Sequence, residues 1–234
     1  MLFGIIPMYF MDSYYIMLVI PALILAMYAQ YKVKNTFNKY SQVFSSRGIT
    51  GNEAVRRILN GEGITSVDVE PIGGQLTDHF DPRTNKIGLS EPVYGSSSVA
   101  SIGVAAHEAG HAIQYANNYV PIKIRNSILP VAQIGSTAAL PLAILGIFLS
   151  IHVLINVGIL LYSAVVLFQV VTLPVEFNAS NRAIKVLESA GILSDYELEG
   201  AKKVLRAAAM TYVAAMLTSL MSLIRLVLLS RNRD

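Results

Sequence analysis

The chain is expected to be mainly α, a multi-pass helical membrane protein with a small β-hairpin element, and three observations lead there. Only 14% of its 234 residues are charged and 53% are hydrophobic, where a soluble globular domain carries roughly 25% charged residues. No Asp, Glu, Lys or Arg occurs between Arg125 and Glu176, a run roughly twice the ~20 residues that one helix needs to cross a bilayer. Between Lys32 and Arg125 the chain turns polar instead, and its punctuation is that of short helices and strands.

In chain order, an uncharged run over about 13–31 predicts the first span. It lacks a basic leader and a small-residue cleavage pattern, so it is read as a retained helix rather than a signal peptide. Val33, Phe37, Tyr40 and Phe44 recur at helical spacing and extend that helix beyond the bilayer as an amphipathic segment. "TGNEAVRRILNG" has Thr50 three before Glu53, a capping box, and ends at Gly61. "TSVDVEPIGG" and "KIGLS" alternate as strands, and "DPRTN" between "LTDHF" and "KIGLS" is a turn, so a β-hairpin is predicted. A serine-capped helix follows from "SSS" to about Asn117.

The uncharged run then divides into spans at about 127–149 and 153–175, connected around His152. Pro130, Gly135 and Pro141 are tolerated inside a membrane helix and would kink it. "NRAIKVLESAG" reads as a helix stopped by Gly191, and Ser194 with Glu197 caps the next, which flows into a last span over about 207–229 with Arg225 near its end, where the side chain can snorkel. With no repeat and no flexible linker, residues 1–234 are expected to form one membrane-embedded domain, its polar portion made of about 32–126 and 176–206.

The chemistry lies in "AAHEAGHAIQ". Positions four apart share a helix face, so His107 and His111 can present ring nitrogens to one zinc ion, a zincin-like HExxH helix. Glu108, beside that axis, is placed to take a proton from the attacking water and pass it to the leaving amine. The chain has no cysteine, so a metal here must be held by His, Glu or Asp. A catalytic zinc takes a third protein ligand. His152 lies a full bilayer away and is excluded if the spans are right. Glu176 is the first carboxylate after the chain has crossed and returned, and it emerges on the side of the motif; the bland alternative is a solvated helix-start residue.

"AAHEAGHAIQ", the hydrophobic hairpin and "LPVEFNASNRA", with "GGQLTDHFDPRTNKIGLSEPVYG" and "TGNEAVRRIL" upstream, together resemble the YugP-like family of membrane-embedded neutral zinc metallopeptidases over most of the chain. More distantly, "EFNAS" is similar to the E-F-x-A-D element of the prenyl-protein endopeptidase and heat-shock membrane peptidase families, whose glutamate is the third zinc ligand. The resemblance implies one zinc per chain, bound by His107, His111 and Glu176, with Glu108 as catalytic base. Ser180 stands where those relatives have aspartate, so the duty of holding a ligand histidine in its tautomer would pass to Ser180 or Asn178. The whole block also implies that the strand from about Gln75 to Phe80 borders the cleft, offering backbone to an extended peptide and bringing His79 toward the oxyanion. An exposed strand histidine is the alternative for His79, while Asp78 and Asp81 read as turn and cap residues.

In the four-span topology most basic residues, from Lys32 to Arg125 and from Arg182 to Arg206, fall on one side, with Arg231 and Arg233 opposite. The positive-inside rule makes that side cytoplasmic. The expected function is a multi-pass, cell-membrane zinc endopeptidase acting on protein or peptide substrates at the membrane–cytosol boundary. A net charge of +3 spread among apolar helices gives no nucleic-acid footprint. Two other classes compete: an intramembrane protease, disfavoured by the polar "GSSS" and "NNY" flanking the motif, and a non-enzymatic membrane scaffold or partner-binding protein with a structural zinc, disfavoured by Glu108, which zinc binding alone does not require.

Overall fold

The computed structural model describes residues 12–231. It is mainly helical, with four helices long and apolar enough to cross a membrane and one small three-stranded sheet. A π-helical turn at Tyr15–Val19 leads into α1 (Ile20–Tyr40). Then come α2 (Gly51–Gly61), β1 (Asp68–Ile72), β2 (His79–Asp81), β3 (Lys86–Ser90), α3 (Glu91–Tyr94), α4 (Val99–Ala116), α5 (Val120–Leu149), α6 (His152–Ser189) and α7 (Asp195–Arg231).

These elements fall into two compact units. One comprises the described residues of Met1–Gln30, Lys123–Leu173 and Thr211–Asp234. Its large apolar side chains are often exposed, among them Met17, Met27, Val153 and Leu160, which suits contact with lipid rather than water. Within it α5 and α6 form a helical hairpin whose connection shrinks to Ser150 and Ile151, so His152 opens α6 instead of sitting in a turn. Ser150 adopts a positive φ of 56°, and the Ile151 amide donates to the Gly146 carbonyl, closing the helix end. Where α5 crosses α6 at Gly135, a Cβ would lie 2.5 Å from the Leu161 carbonyl oxygen, so only glycine permits that approach. Arg225, near the end of α7, pairs with Asp12 at the start of the first helix. Its Nη2 lies 2.6 Å from Asp12 Oδ2 and its guanidinium 5.1 Å from the Tyr15 ring centroid, a pairing that lowers the cost of a charge near lipid.

The other unit, Tyr31–Ile122 with Pro174–Met210, holds the polar portion. Its core gathers Val55 and Ile58 of α2, Ile87 and Leu89 of β3, Ile102 and Ile113 of α4, and Leu187 and Leu198 of the later helices. Thr50 caps α2 with Glu53 answering it, as the capping box predicts. The predicted hairpin is present as β2 and β3, antiparallel, with His79 opposite Gly88 and Phe80 opposite Ile87. β1 adds to the far side of β3 in parallel, giving the order β1-β3-β2. β2 is shorter than expected because Gly74 and Leu76 take positive φ and Asp78 leaves the ladder, accepting from the Ser90 amide at 2.8 Å and from its hydroxyl. Phe44 lies outside α1, in an isolated bridge to Ser98, so only Phe37 and Tyr40 of the amphipathic set pack on the core.

Two predicted breaks are handled differently. The segment after Glu176 is not a separate helix: α6 continues through Pro174 and Glu176 to Ser189. Nothing between them requires a stop, since a proline kinks a membrane helix without ending it. Gly191 does terminate it, with φ 57° and the Ile192 amide donating to the Leu187 carbonyl. The Ser194 amide then donates to Glu197 at 2.8 Å to open α7.

Candidate metal centre

α4 supplies two of the three groups. Ser98 caps it, accepting from the Ser101 amide at 3.2 Å, and Ser101 in turn donates to the Pro92 carbonyl. From there Ala105, Ala106, Ala109 and Ala112 keep the helix surface low and almost wholly buried, so neighbouring backbone can come close. His107 and His111, one turn apart, set their rings edge to face with centroids 4.7 Å apart. Opposite them Glu176, Ala179, Ser180 and Ala183 share one face of α6 by their spacing. The crossing is tightest at Gly110, where a Cβ would meet the Ala179 carbonyl oxygen at 2.5 Å. That contact is what lets Glu176 and Ser180 reach the histidines.

Glu176 Oε2 lies 3.2 Å from His107 Nε2 and 3.5 Å from His111 Nε2. The three ligand atoms all fall within 4.8 Å of one another, a grouping with the chemistry of a metal site. Zinc bonds of about 2.0–2.1 Å in tetrahedral array leave ligand atoms about 3.3 Å apart, so the observed spacing fits that ion. The donor set, two imidazoles and one carboxylate with no thiolate, fits it as well. Burial by itself pushes the His111 imidazole down, yet its hydrogen bond to Glu176 and the charges of Glu108 and Glu176 hold it above the usual histidine value. The cluster therefore favours a cation among its three groups.

Glu108 is on α4, 8% exposed, near enough for its charge to act on His111. Ser180 Oγ lies 3.1 Å from His107 Nδ1. Asn178 reaches the site through a residue that the sequence reading passed over: Gln114 Oε1 is 3.0 Å from His111 Nδ1, and Gln114 Nε2 donates to Asn178 Oδ1 at 3.0 Å and to the Val175 carbonyl at 2.8 Å. A usable signal existed, since Gln114 is a polar residue about one turn after His111. His79 lies on exposed β2, its Nδ1 2.9 Å from the Thr77 carbonyl. Its strand neighbour Phe80 packs edge-on against Tyr115 of α4 with centroids 5.4 Å apart, so His79 projects from the opposite face of the sheet. His152 begins α6, 24 residues before Glu176 and on the order of 36 Å of helical rise away.

Over residues 15–231 the chain matches the family described as "Putative neutral zinc metallopeptidase". It is 49% identical over 218 residues to the "Putative membrane protease YugP" of Bacillus subtilis (strain 168), an alignment covering 93% of this chain and 97% of that protein. No solved structure matches it. With a His-His-Glu cluster set on an HExxH helix and that breadth of similarity, the chain belongs to this family of neutral zinc metallopeptidases, as a membrane protein with four candidate spans.

Proposed function

We propose that the chain is a membrane-bound endopeptidase that cleaves protein substrates at the membrane–cytosol boundary, with one zinc per chain held by His107, His111 and Glu176. The observation that supports this most is the 3.2 and 3.5 Å separation of Glu176 Oε2 from the two imidazole nitrogens, the edge length of a tetrahedral zinc site. When bound, zinc supplies Lewis acidity, acidifying a water and polarising the scissile carbonyl. Glu108 accepts the proton of the attacking water and delivers it to the departing amine nitrogen, so the peptide bond is exchanged for a carboxylate and an amine. Ser180 and Gln114 hold the outer ring nitrogens of His107 and His111. His79 on β2 is the residue proposed to lie toward the developing oxyanion.

Metal analysis and proteolysis on purified variants test this together. Glu108→Gln should keep its zinc and lose cleavage, while His107→Ala and His111→Ala lose both. Full zinc retention in both histidine variants would end the reading. The basic residues from Lys32 to Arg125 and Arg182 to Arg206 support a cytosolic site. A cysteine in Ser97→Cys should accordingly be labelled from the cytosolic side and one in His152→Cys from the other; the reverse pattern contradicts that orientation.

A further inference from the structure

We infer that Gln114 is the positioning residue of the metal centre: its side-chain amide locks His111 in the Nδ1–H tautomer and so turns the Nε2 lone pair toward the metal. The inference rests on the ligand set proposed above. It follows from the direction of the hydrogen bonds, which can be worked inward from groups whose roles are not negotiable.

At one end stands the Val175 carbonyl, which can only accept. The Gln114 side-chain atom 2.8 Å from it must be the nitrogen. At the other end stands Arg182, which can only donate. Its Nε lies 2.8 Å from Asn178 Oδ1, so that atom is the oxygen, and the same oxygen accepts from Gln114 Nε2 at 3.0 Å. Two independent anchors therefore give Gln114 one orientation, and the residue is fully buried, with no water to offer an alternative. Its Oε1 then faces His111 Nδ1 at 3.0 Å. An amide oxygen only accepts, so Nδ1 carries the hydrogen and Nε2 of the neutral ring is bare. That nitrogen is the one 3.5 Å from Glu176 Oε2, so a cation belongs between the two: the proton of the imidazolium in the metal-free site, and the metal ion when it is bound.

His107 has no such constraint. Its Nδ1 partner is the Ser180 hydroxyl at 3.1 Å, which can donate or accept. Gln114 is also tied to the third ligand, because Val175 directly precedes Glu176 and Asn178 follows two residues later. One buried amide thus sets the ring of one ligand and braces the helical turn that presents another.

The test uses the full chain in detergent. Histidine ring ¹⁵N shifts of the metal-free wild type at alkaline pH, with the His111 signal assigned by its loss in His111→Asn, should show the Nδ1–H tautomer. The Nε2–H form there would overturn the inference without any variant of Gln114. Zinc affinity against a competing chelator should fall about 10–100-fold in Gln114→Met. Wild-type affinity together with the Nδ1–H tautomer in Gln114→Met would also overturn it. Absence of zinc binding by the wild type itself would sink the ligand assignment, an outcome separable from the tautomer result.

Discussion

The two units use the same backbone device for opposite ends. At Gly135, in the unit with the long uncharged run, α5 meets the Leu161 carbonyl and the Val165 side chain. At Gly110, in the other unit, α4 meets the Ala179 carbonyl just as closely, and the residues on either side of Ala179 on its helix face are Glu176 and Ser180, both within reach of His107. In the first case close approach stabilises a hairpin through van der Waals contact. In the second it assembles a constellation from residues about seventy positions apart in the chain. Bulk hydropathy is enough to specify the first kind of contact, whereas the second depends on individual side chains at defined places.

Methyl insertion at the two glycines gives the largest expected contrast. Gly110→Ala and Gly135→Ala should each cost about 1–3 kcal/mol in stability through overpacking, read as thermal unfolding in detergent. Only Gly110→Ala should also weaken zinc binding of the folded protein, since it moves Glu176 off His107 and His111. Equal zinc affinities in the two variants would erase the distinction between the units. A smaller effect separates a buried cap from a lipid-facing side chain. Ser98→Ala removes the N-cap of α4 and should cost about 1 kcal/mol. Leu160→Ala changes a side chain 71% exposed and should stay within about 0.5 kcal/mol. Unfolding midpoints measured side by side check this, and a larger loss for Leu160→Ala would mean that it is packed rather than lipid-facing.

What could be read from sequence follows the same division. The spans were legible because lipid solvation acts on composition, which needs no partner to be known. Thr50 with Glu53, the serine cap of α4, and the paired His107 and His111 were legible because their partners lie within a turn. Glu176 was reachable by following how often the chain crosses. The parallel pairing of β1 with β3 was not, since register between separated strands leaves no local mark. Nor was the continuity of α6 through Pro174, where a membrane helix tolerates what a soluble one would not. Gln114 was missed because the carbonyl and amide that orient it are 61 and 64 residues distant. The pairing of Arg225 with Asp12 left no local mark because the two are 213 residues apart.

The centre stands or falls on its third ligand. Zinc titration against a competing chelator should be run on wild type, Glu176→Ala, Glu188→Ala and His152→Ala. Glu188 and His152 are both exposed and outside the cluster, so their variants should bind zinc as wild type does. Glu176→Ala should lose most of its affinity, because two imidazoles alone make an incomplete zinc site. Wild-type affinity in Glu176→Ala would contradict the account and place the third ligand elsewhere.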